Sequence, residues 1–379
     1  MGVNSGWGVK TGRVVKTGWR GAGMTAAVAV MLSACGGPAE APADEADAGR
    51  GAPAAAAAAE SPTLKAVRQR GHLRCGVHQG LVGFAVQDNR GQWRGFDVDF
   101  CRAMAAAIFG DGDRVRFTPL TAETRFDALA ADRVDVLWRN SSWTMSRDTD
   151  GRFAFAGVNY YDGQGFLVRR ALDLHNIAEL NGARVCVAAG STSAMNLADE
   201  FRSRGVAYTP VIMPTEEAAR AAYAREACDA FSGDISALAA ARTTLPDPQQ
   251  HAILADVLSK EPLGPVTRRG DEPWTALVRW TLNAVVLSEE LGVTQANARQ
   301  LARESRDPRI RRLLGAEGDF GAPLGLSRTW ALDAVGDVGN YGEIFARNLG
   351  PQSPLDLTRG MNAQWNAQTG GLIYGLPIR

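Results

Sequence analysis

The chain has 379 residues, of which 41 are Lys or Arg and 41 are Asp or Glu, so its formal net charge is zero. Hydrophobic residues make up 45% of the chain and charged residues 22%, which is ordinary for a globular protein with two units of about 100–200 residues each. The charge balance gives the chain no electrostatic reason to bind nucleic acid or an anionic membrane surface.

The first 34 residues have the pattern of an export signal. Basic residues without acidic ones precede a short apolar run at 24–34, which is too short to cross a bilayer but fits a secretory signal. Residues 32–35 resemble the lipobox of bacterial lipoproteins. We therefore expect residues 1–34 to be a lipoprotein signal peptide and Cys35 to carry the lipid. The alternative is plain secretion with cleavage near Ala34.

Residues 35–62 are rich in Ala, Pro and Glu, with five acidic residues and one basic residue. Such a composition cannot bury a core, so this segment is predicted to be a disordered tether. The remaining residues, 63–379, hold 36 basic and 36 acidic side chains. We expect this neutral body to meet the membrane only through the N-terminal lipid anchor.

Four cysteines lie in the body, at Cys75, Cys101, Cys186 and Cys228. An even number of cysteines in an exported protein indicates two disulfides, for which three connectivities are possible. Four unpaired buried thiols are the alternative. Because the chain lacks the C-x-x-C and H-E-x-x-H spacings and a P-loop, no metal site and no cofactor are expected.

The body alternates strand and helix patterns in two successive series. The first has predicted strands at 72–77, 114–118 and 134–138 and helices at 96–109 and 124–131. The second has strands at 184–188, 211–214 and 228–232 and helices at 193–204 and 216–225. Each order predicts a largely parallel sheet covered by helices. From residue 271 onward the pattern is mainly helical, with Asp271 as a cap and Pro273 in the first turn.

Several segments of the body carry a family pattern. They include LRCGV at 73–77, GFDVDFCRA at 95–103, NSSWTMSRD at 140–148, VCVAAGST at 185–192, SKEPLGP at 259–265 and GDVGNYGEIF at 336–345. In this order they resemble the solute-binding proteins of amino-acid ABC transporters, solute-binding protein family 3. The resemblance covers 63–379 and is strongest to the general L-amino-acid-binding subfamily.

The resemblance implies an α/β fold of the type II periplasmic-binding-protein kind, a Venus flytrap whose two lobes are joined by two crossover hinge segments. The crossovers would lie near 159–164 and 260–265. Lobe 1 would comprise 63–160 and, with the C-terminal helices, 264–379; lobe 2 would comprise 164–260. Because a bridge between lobes would block hinge motion, this layout favours disulfides within lobes, Cys75–Cys101 and Cys186–Cys228.

A free amino acid presents a carboxylate and an ammonium, and both need partners after leaving water. A guanidinium suits the carboxylate because its planar fork can donate two parallel hydrogen bonds. Arg147 stands where this family keeps its carboxylate-binding arginine. From its spacing alone, Arg147 could instead form a surface ion pair with Asp148 or Asp150.

Other positions of the family clamp lie close by in lobe 1. Ser142 and Thr144 match the positions that give the ligand backbone and hydroxyl hydrogen bonds. Asn140 matches the position whose carbonyl meets the ammonium.

Lobe 2 would supply the opposite side of the clamp. The turn Gly190, Ser191 and Thr192 leads from a strand into a helix, whose free N–H groups favour an anion; an ordinary helix cap is a compatible reading. Asp234 matches the family's ammonium-binding acid, and its alternative role is to cap the helix that follows.

Side-chain selectivity would come from His78, Leu81 and residues 122–125. His78 departs from the small polar residue expected in this subfamily, and near pH 6–7 it could add positive charge that favours acidic ligands. The alternative is a surface-loop histidine without ligand contact.

These residues predict a binding protein without a catalytic site. It would capture L-amino acids, polar and acidic ones included, and deliver them to an ABC transporter permease. We expect a monomer outside the cytoplasm, periplasmic and anchored through Cys35. The alternatives are an exported dehydratase-like enzyme on the same fold, with His78 or Glu123 as acid or base, and a ligand-sensing lipoprotein.

Overall fold

The computed structural model describes residues 61–379. The predicted signal peptide 1–34, the lipidation site Cys35 and the predicted tether up to residue 60 lie outside the described residues. The tether prediction is wrong at its C-terminal end, because Ser61 caps a helix that begins at Pro62. The Ser61 hydroxyl accepts a hydrogen bond from the Leu64 N–H and donates one to Asp271. A Ser cap followed by Pro in the first turn is a strong start signal for a helix.

The bounds of the elements follow in chain order. The helices are α1 (Pro62–Arg70), α2 (Phe96–Phe109), α3 (Arg125–Ala130), α4 (Met145–Asp148), α5 (Thr192–Arg204), α6 (Glu216–Ala224), α7 (Ile235–Thr243), α8 (Glu272–Glu290), α9 (Ala298–Glu304), α10 (Pro308–Leu313), α11 (Trp330–Val338) and α12 (Tyr341–Asn348). The strands are β1 (Leu73–His78), β2 (Val86–Gln87), β3 (Trp93–Arg94), β4 (Val115–Leu120), β5 (Val136–Leu137), β6 (Phe153–Phe155), β7 (Tyr160–Asp162), β8 (Gln164–Arg169), β9 (Ala183–Ala188), β10 (Tyr208–Met213), β11 (Ala230–Asp234), β12 (His251–Ile253), β13 (Glu261–Leu263) and β14 (Val266–Arg268).

The first sheet has the order β4-β1-β5-β14-β6. Strands β4, β1 and β5 are parallel, with Leu73 opposite Val115 and Cys75 opposite Val136, whereas β14 runs antiparallel to β5 and β6. Its core continues into α2, α8, α11 and α12, whose apolar side chains share one buried cluster with β1. We call this unit lobe 1.

The second sheet has the order β10-β9-β11-β8-β12. Strands β10, β9 and β11 are parallel, while β8 is antiparallel to β11 and β12. Separate apolar clusters line the two faces of this sheet, and we call this unit lobe 2. Each sheet is thus parallel at its centre and antiparallel on one side, where the sequence indicated only the parallel part.

A two-stranded antiparallel ribbon, β7 with β13, belongs to neither large sheet. Glu261 lies opposite Asp162 and Leu263 opposite Tyr160. The chain passes from lobe 1 to lobe 2 through β7 and returns through β13, so this ribbon is where a hinge between the lobes would bend. No helix among residues 61–379 is long and apolar enough to cross a membrane.

Both predicted disulfides are confirmed. Cys75 on β1 is bonded to Cys101 on α2, and Cys186 on β9 is bonded to Cys228, which lies just before β11. All four cysteines are fully buried. Each bridge ties a strand to its neighbouring element inside one lobe and leaves the ribbon free to bend.

Candidate functional site

A cavity of about 130 Å³ lies between the lobes. Its polar walls come from residues at or just after the carboxyl ends of the parallel strands, the edge at which α/β sheets bind ligands. Because two sheets face each other, six strand ends converge on one space. The side chains concerned are His78 at the end of β1, Arg125 after β4, Arg139 after β5, Thr192 after β9, Glu216 after β10 and Asp234 at the end of β11.

Arg147 does not form the surface ion pair that its spacing allowed. Asp150 is instead bound to Arg152, and Asp148 lies 3.8 Å from Arg269. The Arg147 Nη1 donates to the Ser142 carbonyl at 2.9 Å, and its guanidinium lies over a phenyl ring. Burial lowers the Arg147 pKa, and Glu261 and Asp234 oppose that shift, so both carboxylates are close enough to act on it. Arg147 lies behind Ser142 and is not part of the cavity wall.

Two of the three neighbouring predicted residues line the cavity. Ser142 is buried there and its hydroxyl donates to Glu261. Asn140 has the left-handed φ of 35°, and neither polar atom of its amide has a hydrogen-bond partner in the described chain. A buried amide without partners favours a ligand. Thr144 lies off the wall, where its hydroxyl caps α4 by accepting from the Arg147 N–H.

The turn before α5 acts as a cap and also faces the cavity. The Ser191 hydroxyl accepts from the Ala194 N–H at 3.2 Å, and Thr192 lines the cavity beside it. Gly190 is not on the wall. It has φ of 67°, and a Cβ there would lie 3.0 Å from the Cα of Glu123 in lobe 1. Gly190 therefore permits close approach of the two lobes.

Asp234 faces the cavity and does not cap α7, because its side chain makes no hydrogen bond to the helix. Burial raises its pKa well above the ordinary range, and Asp162 and Glu261 add to the increase. Arg125 acts in the opposite direction. The carboxyl group thus lies near other acids and has no hydrogen-bond partner in the part of the chain that the structure describes.

His78 is buried, so the surface-loop alternative is wrong. The proposed charge near pH 6–7 is also wrong. Burial, with Arg139 assisting, lowers the His78 pKa to about 3, and the ring is neutral in that range. Its Nδ1 accepts from the Gly80 N–H at 3.0 Å, so the Nε2 carries the proton and is a donor. Leu81 lines the cavity as predicted and adds apolar surface.

Several charged residues of the wall, Arg139 and Glu216 among them, were not predicted as site residues, whereas Arg125 belongs to the predicted selectivity segment 122–125. Arg125 is 3% exposed and its Nε has no hydrogen-bond partner within residues 61–379. Arg139 donates from its Nη2 to the Glu216 Oε1 at 3.0 Å and so joins the lobes. These residues follow the predicted strands at 114–118, 134–138 and 211–214, and a charged side chain at that edge of a parallel sheet was the available signal.

Comparison with known proteins decides the family. Residues 73–297 match the bacterial extracellular solute-binding proteins, family 3. The chain belongs to this family. The resemblance drawn from the sequence is confirmed.

Relatives of this family-3 protein cover most of its length. It is 48% identical over 324 residues to the glutamate/glutamine/aspartate/asparagine-binding protein BztA of Rhodobacter capsulatus, covering 86% of this chain and 95% of that protein. It is 47% identical to the general L-amino acid-binding periplasmic protein AapJ of Rhizobium johnstonii, with the same coverage.

A solved structure shows the same fold. The ABC transporter / periplasmic binding protein from Brucella ovis, with glutathione bound, is 49% identical and superposes with a TM-score of 0.82. The match covers 84% of this chain and 100% of that chain. The predicted two-lobed fold of the type II periplasmic binding proteins is confirmed.

Proposed function

We propose that this family-3 protein is the extracytoplasmic substrate-binding component of an amino-acid ABC transporter. It captures L-amino acids, polar and acidic ones included, between its lobes and delivers them to a membrane permease. The observation that carries the proposal is that Arg125 and Asp234, side chains of opposite charge, line one cavity, and neither side chain has a hydrogen-bond or ion-pair partner among residues 61–379. The ammonium of an amino acid supplies a partner for Asp234, and a polar or acidic side chain of the ligand supplies one for Arg125; burying either charge without a partner is unfavourable.

In this proposal Ser142 and the α5 turn of Ser191 and Thr192 hold the ligand carboxylate from the cavity wall. Arg147, Thr144 and Gly190 lie off the wall and complete the clamp when the Arg147 guanidinium turns from the Ser142 carbonyl to the carboxylate. Asp234 and the Asn140 carbonyl hold the ammonium. Arg147 is in lobe 1 and Asp234 in lobe 2, so only the closed form presents both to one ligand. Ligand binding then shifts the population from open to closed.

We infer the class of ligand from the charged side chains that line the cavity and from the names of the relatives. Arg125 remains available for a second carboxylate, as in an acidic side chain. BztA is named for binding glutamate, glutamine, aspartate and asparagine, and AapJ is named as a general L-amino acid-binding protein. Both names favour a ligand with an amino-acid backbone and a polar side chain.

We further propose that removal of residues 1–34 leaves a lipidated Cys35 that anchors a periplasmic monomer to the membrane. Lobe 1 then comprises 63–160 and 264–379, and lobe 2 comprises 164–260. The pattern of the first 62 residues and the family support this layout.

The named relatives are binding proteins, which favours capture without chemistry. The enzyme alternative relied on His78 and Glu123. Glu123 is exposed and is not part of the cavity wall, and His78 is neutral. A bound amino acid should therefore be recovered unchanged by chromatography after long incubation with the protein.

A thermal-shift screen against the twenty L-amino acids, followed by calorimetric titration, tests the function. We expect several polar L-amino acids to raise the melting temperature, and Arg147→Ala to abolish the effect with the fold intact. The matched control is Arg152→Ala, since Arg152 is an exposed arginine whose guanidinium donates to Asp150 and lies away from the cavity wall. Unchanged affinity in Arg147→Ala contradicts the site, and no response to any amino acid at millimolar concentration contradicts the function.

A further inference from the structure

Two polar atoms of the cavity wall lie side by side, and neither has a hydrogen-bond partner within residues 61–379. One is the Nε2 of His78 from lobe 1, and the other is the Oε2 of Glu216 from lobe 2. They are 3.8 Å apart, which is too far for a hydrogen bond between them. The Glu216 Oε2 is buried and has no hydrogen-bond partner among the described residues.

The chemical character of both atoms is set by their other contacts. The Gly80 N–H donates to the His78 Nδ1, which leaves a proton on Nε2 and makes that atom a donor. The Glu216 Oε1 is used by Arg139, which leaves Oε2 as an acceptor. The site therefore offers one donor and one acceptor to a single ligand group.

We infer that His78 and Glu216 form a subsite for a side-chain carboxamide, so that glutamine or asparagine is recognised by its amide as well as by its backbone. The ligand carbonyl accepts from the His78 Nε2–H, and the ligand NH₂ donates to the Glu216 Oε2. This inference rests on the proposed function. It adds to that function a pair of residues that distinguishes a side-chain amide from a carboxylate of the same shape.

A carboxylate fits this subsite less well than an amide. It satisfies the His78 donor but brings a second negative oxygen against Glu216. Burial raises the Glu216 pKa, but the nearby Arg139 and His78 outweigh burial and hold the pKa at about 2, so Glu216 is ionised at neutral pH. A site that hydrogen-bonds a polar group discriminates strongly against a ligand that leaves the partner unpaired. Because the two residues belong to different lobes, the discrimination exists only in the closed form.

The test is a calorimetric titration of purified protein with L-glutamine, L-glutamate and L-methionine, which have side chains of similar length. Glu216→Gln replaces the acceptor by a group that can donate. His78→Asn removes the Nε2–H and retains an oxygen that can accept from the Gly80 N–H. Glu226→Gln is the control, because this glutamate of lobe 2 has the same charge, is exposed and is not among the residues that line the cavity.

In Glu216→Gln we expect glutamine affinity to fall about tenfold or more, glutamate affinity to rise and methionine affinity to change about twofold at most. His78→Asn should lower the affinity for glutamine and for glutamate relative to the affinity for methionine. Glu226→Gln should leave the ratios of the three affinities within about twofold.

Other results overturn the subsite. If Glu216→Gln weakens all three ligands equally, Glu216 serves only to hold the lobes together through Arg139. If the wild type binds glutamine no better than methionine, the protein does not recognise the side-chain amide. Either result leaves the proposed function standing, whereas a wild type that binds none of the amino acids contradicts that function itself.

Discussion

The hydroxyl oxygens of Ser142 and Thr192 lie 3.5 Å apart although the two residues belong to different lobes. Both hydroxyls donate to the Oε2 of Glu261 on the returning ribbon strand, Thr192 at 3.0 Å. The Oε1 of the same carboxylate accepts from Asn196 at 2.8 Å and from Ser259 at 2.5 Å. Glu261 is 2% exposed, so closure of the lobes completes the hydrogen bonding of a buried charge.

Replacing Glu261 should therefore weaken the closed form more than it weakens either lobe. In Glu261→Gln one oxygen is replaced by an NH₂ group that cannot accept from the hydroxyls. Hydrogen bonds to a charged group contribute about 1.5–3 kcal/mol. We expect amino-acid affinity to fall about tenfold or more by calorimetry, while the circular dichroism spectrum is unchanged.

Lys260→Gln is the matched control, because Lys260 is the exposed neighbour of Glu261 and its loss should leave the affinity unchanged. If Glu261 acts through the hydroxyls, Ser142→Ala should have a smaller effect in the Glu261→Gln background than in the wild type. Additive effects would contradict the coupling.

Asp234 should show opposite effects on binding and on stability. Asp234→Asn removes the charge proposed to meet the ammonium, so we expect affinity to fall about tenfold to a hundredfold. It also removes a carboxyl group that has no hydrogen-bond partner within the described residues and lies near other acids, so the melting temperature of the ligand-free protein should not fall.

Asp229→Asn serves as the contrasting control. The Asp229 carboxylate accepts from the side chain and the backbone N–H of Arg184, and it lies outside the cavity. This variant should lower the melting temperature and leave affinity unchanged. An Asp234→Asn protein that loses stability but retains affinity would contradict the assignment of the ammonium partner.

The two disulfides should contribute to stability without affecting recognition. Cys186–Cys228 closes a separation of 42 residues and Cys75–Cys101 one of 26. In the chain-entropy view, a disulfide that closes a longer loop stabilises more, typically by about 2–4 kcal/mol. We expect Cys186→Ala/Cys228→Ala to lower the free energy of unfolding by about that amount and Cys75→Ala/Cys101→Ala by slightly less. Affinity at 25 °C should be unchanged in both, as measured by calorimetry.

Elements with a strong local pattern could be predicted from the sequence. Helix α2 was predicted with the bounds it has, because its apolar positions recur with the helical period. The start of α8 was predicted from Asp271 and Pro273, and the structure confirms it: the Asp271 carboxylate accepts a hydrogen bond from the Trp274 N–H, as a helix cap does. Strands such as β12, β13 and β14 have three residues each, which is too short for any period to show.

The charges that join the lobes could not be predicted in this way. Arg139 and Glu216 are 77 residues apart in the chain, and no local sequence pattern around either residue indicates that they form an ion pair. The sequence marked Glu216 only as the first residue of a helix. The charge of His78 was predicted wrongly for a similar reason, since burial of the ring in the folded protein lowers its pKa and the sequence pattern does not show that burial.

Asp97 should make the free energy of unfolding depend on pH. It is 2% exposed, its Oδ1 accepts from Asn159 at 3.3 Å, and its Oδ2 has no hydrogen-bond partner within residues 61–379. Burial raises its pKa from 3.8 to about 7, and the hydrogen bond from Asn159 only partly opposes this shift. The folded protein therefore binds this proton more tightly than the unfolded chain does.

The direction in which stability changes with pH follows from that difference in proton affinity. The contribution of Asp97 to stability is fully present below the unfolded pKa near 4, and it is lost as the pH rises through about 7. The loss is on the order of 1–4 kcal/mol. Asp97→Asn cannot lose a proton, so its free energy of unfolding should fall less than that of the wild type between pH 5 and pH 8, as measured by urea titration.

Asp99→Asn is the control from the same turn of α2. Its carboxylate accepts from Arg347 at 2.9 Å and from Asn348 at 2.6 Å, so its replacement should destabilise the protein at both pH values. Equal losses of stability by Asp97→Asn at pH 5 and pH 8 would show that Asp97 is held as an ionised hydrogen-bond acceptor. In that case the buried carboxyl group does not carry the proton assigned to it.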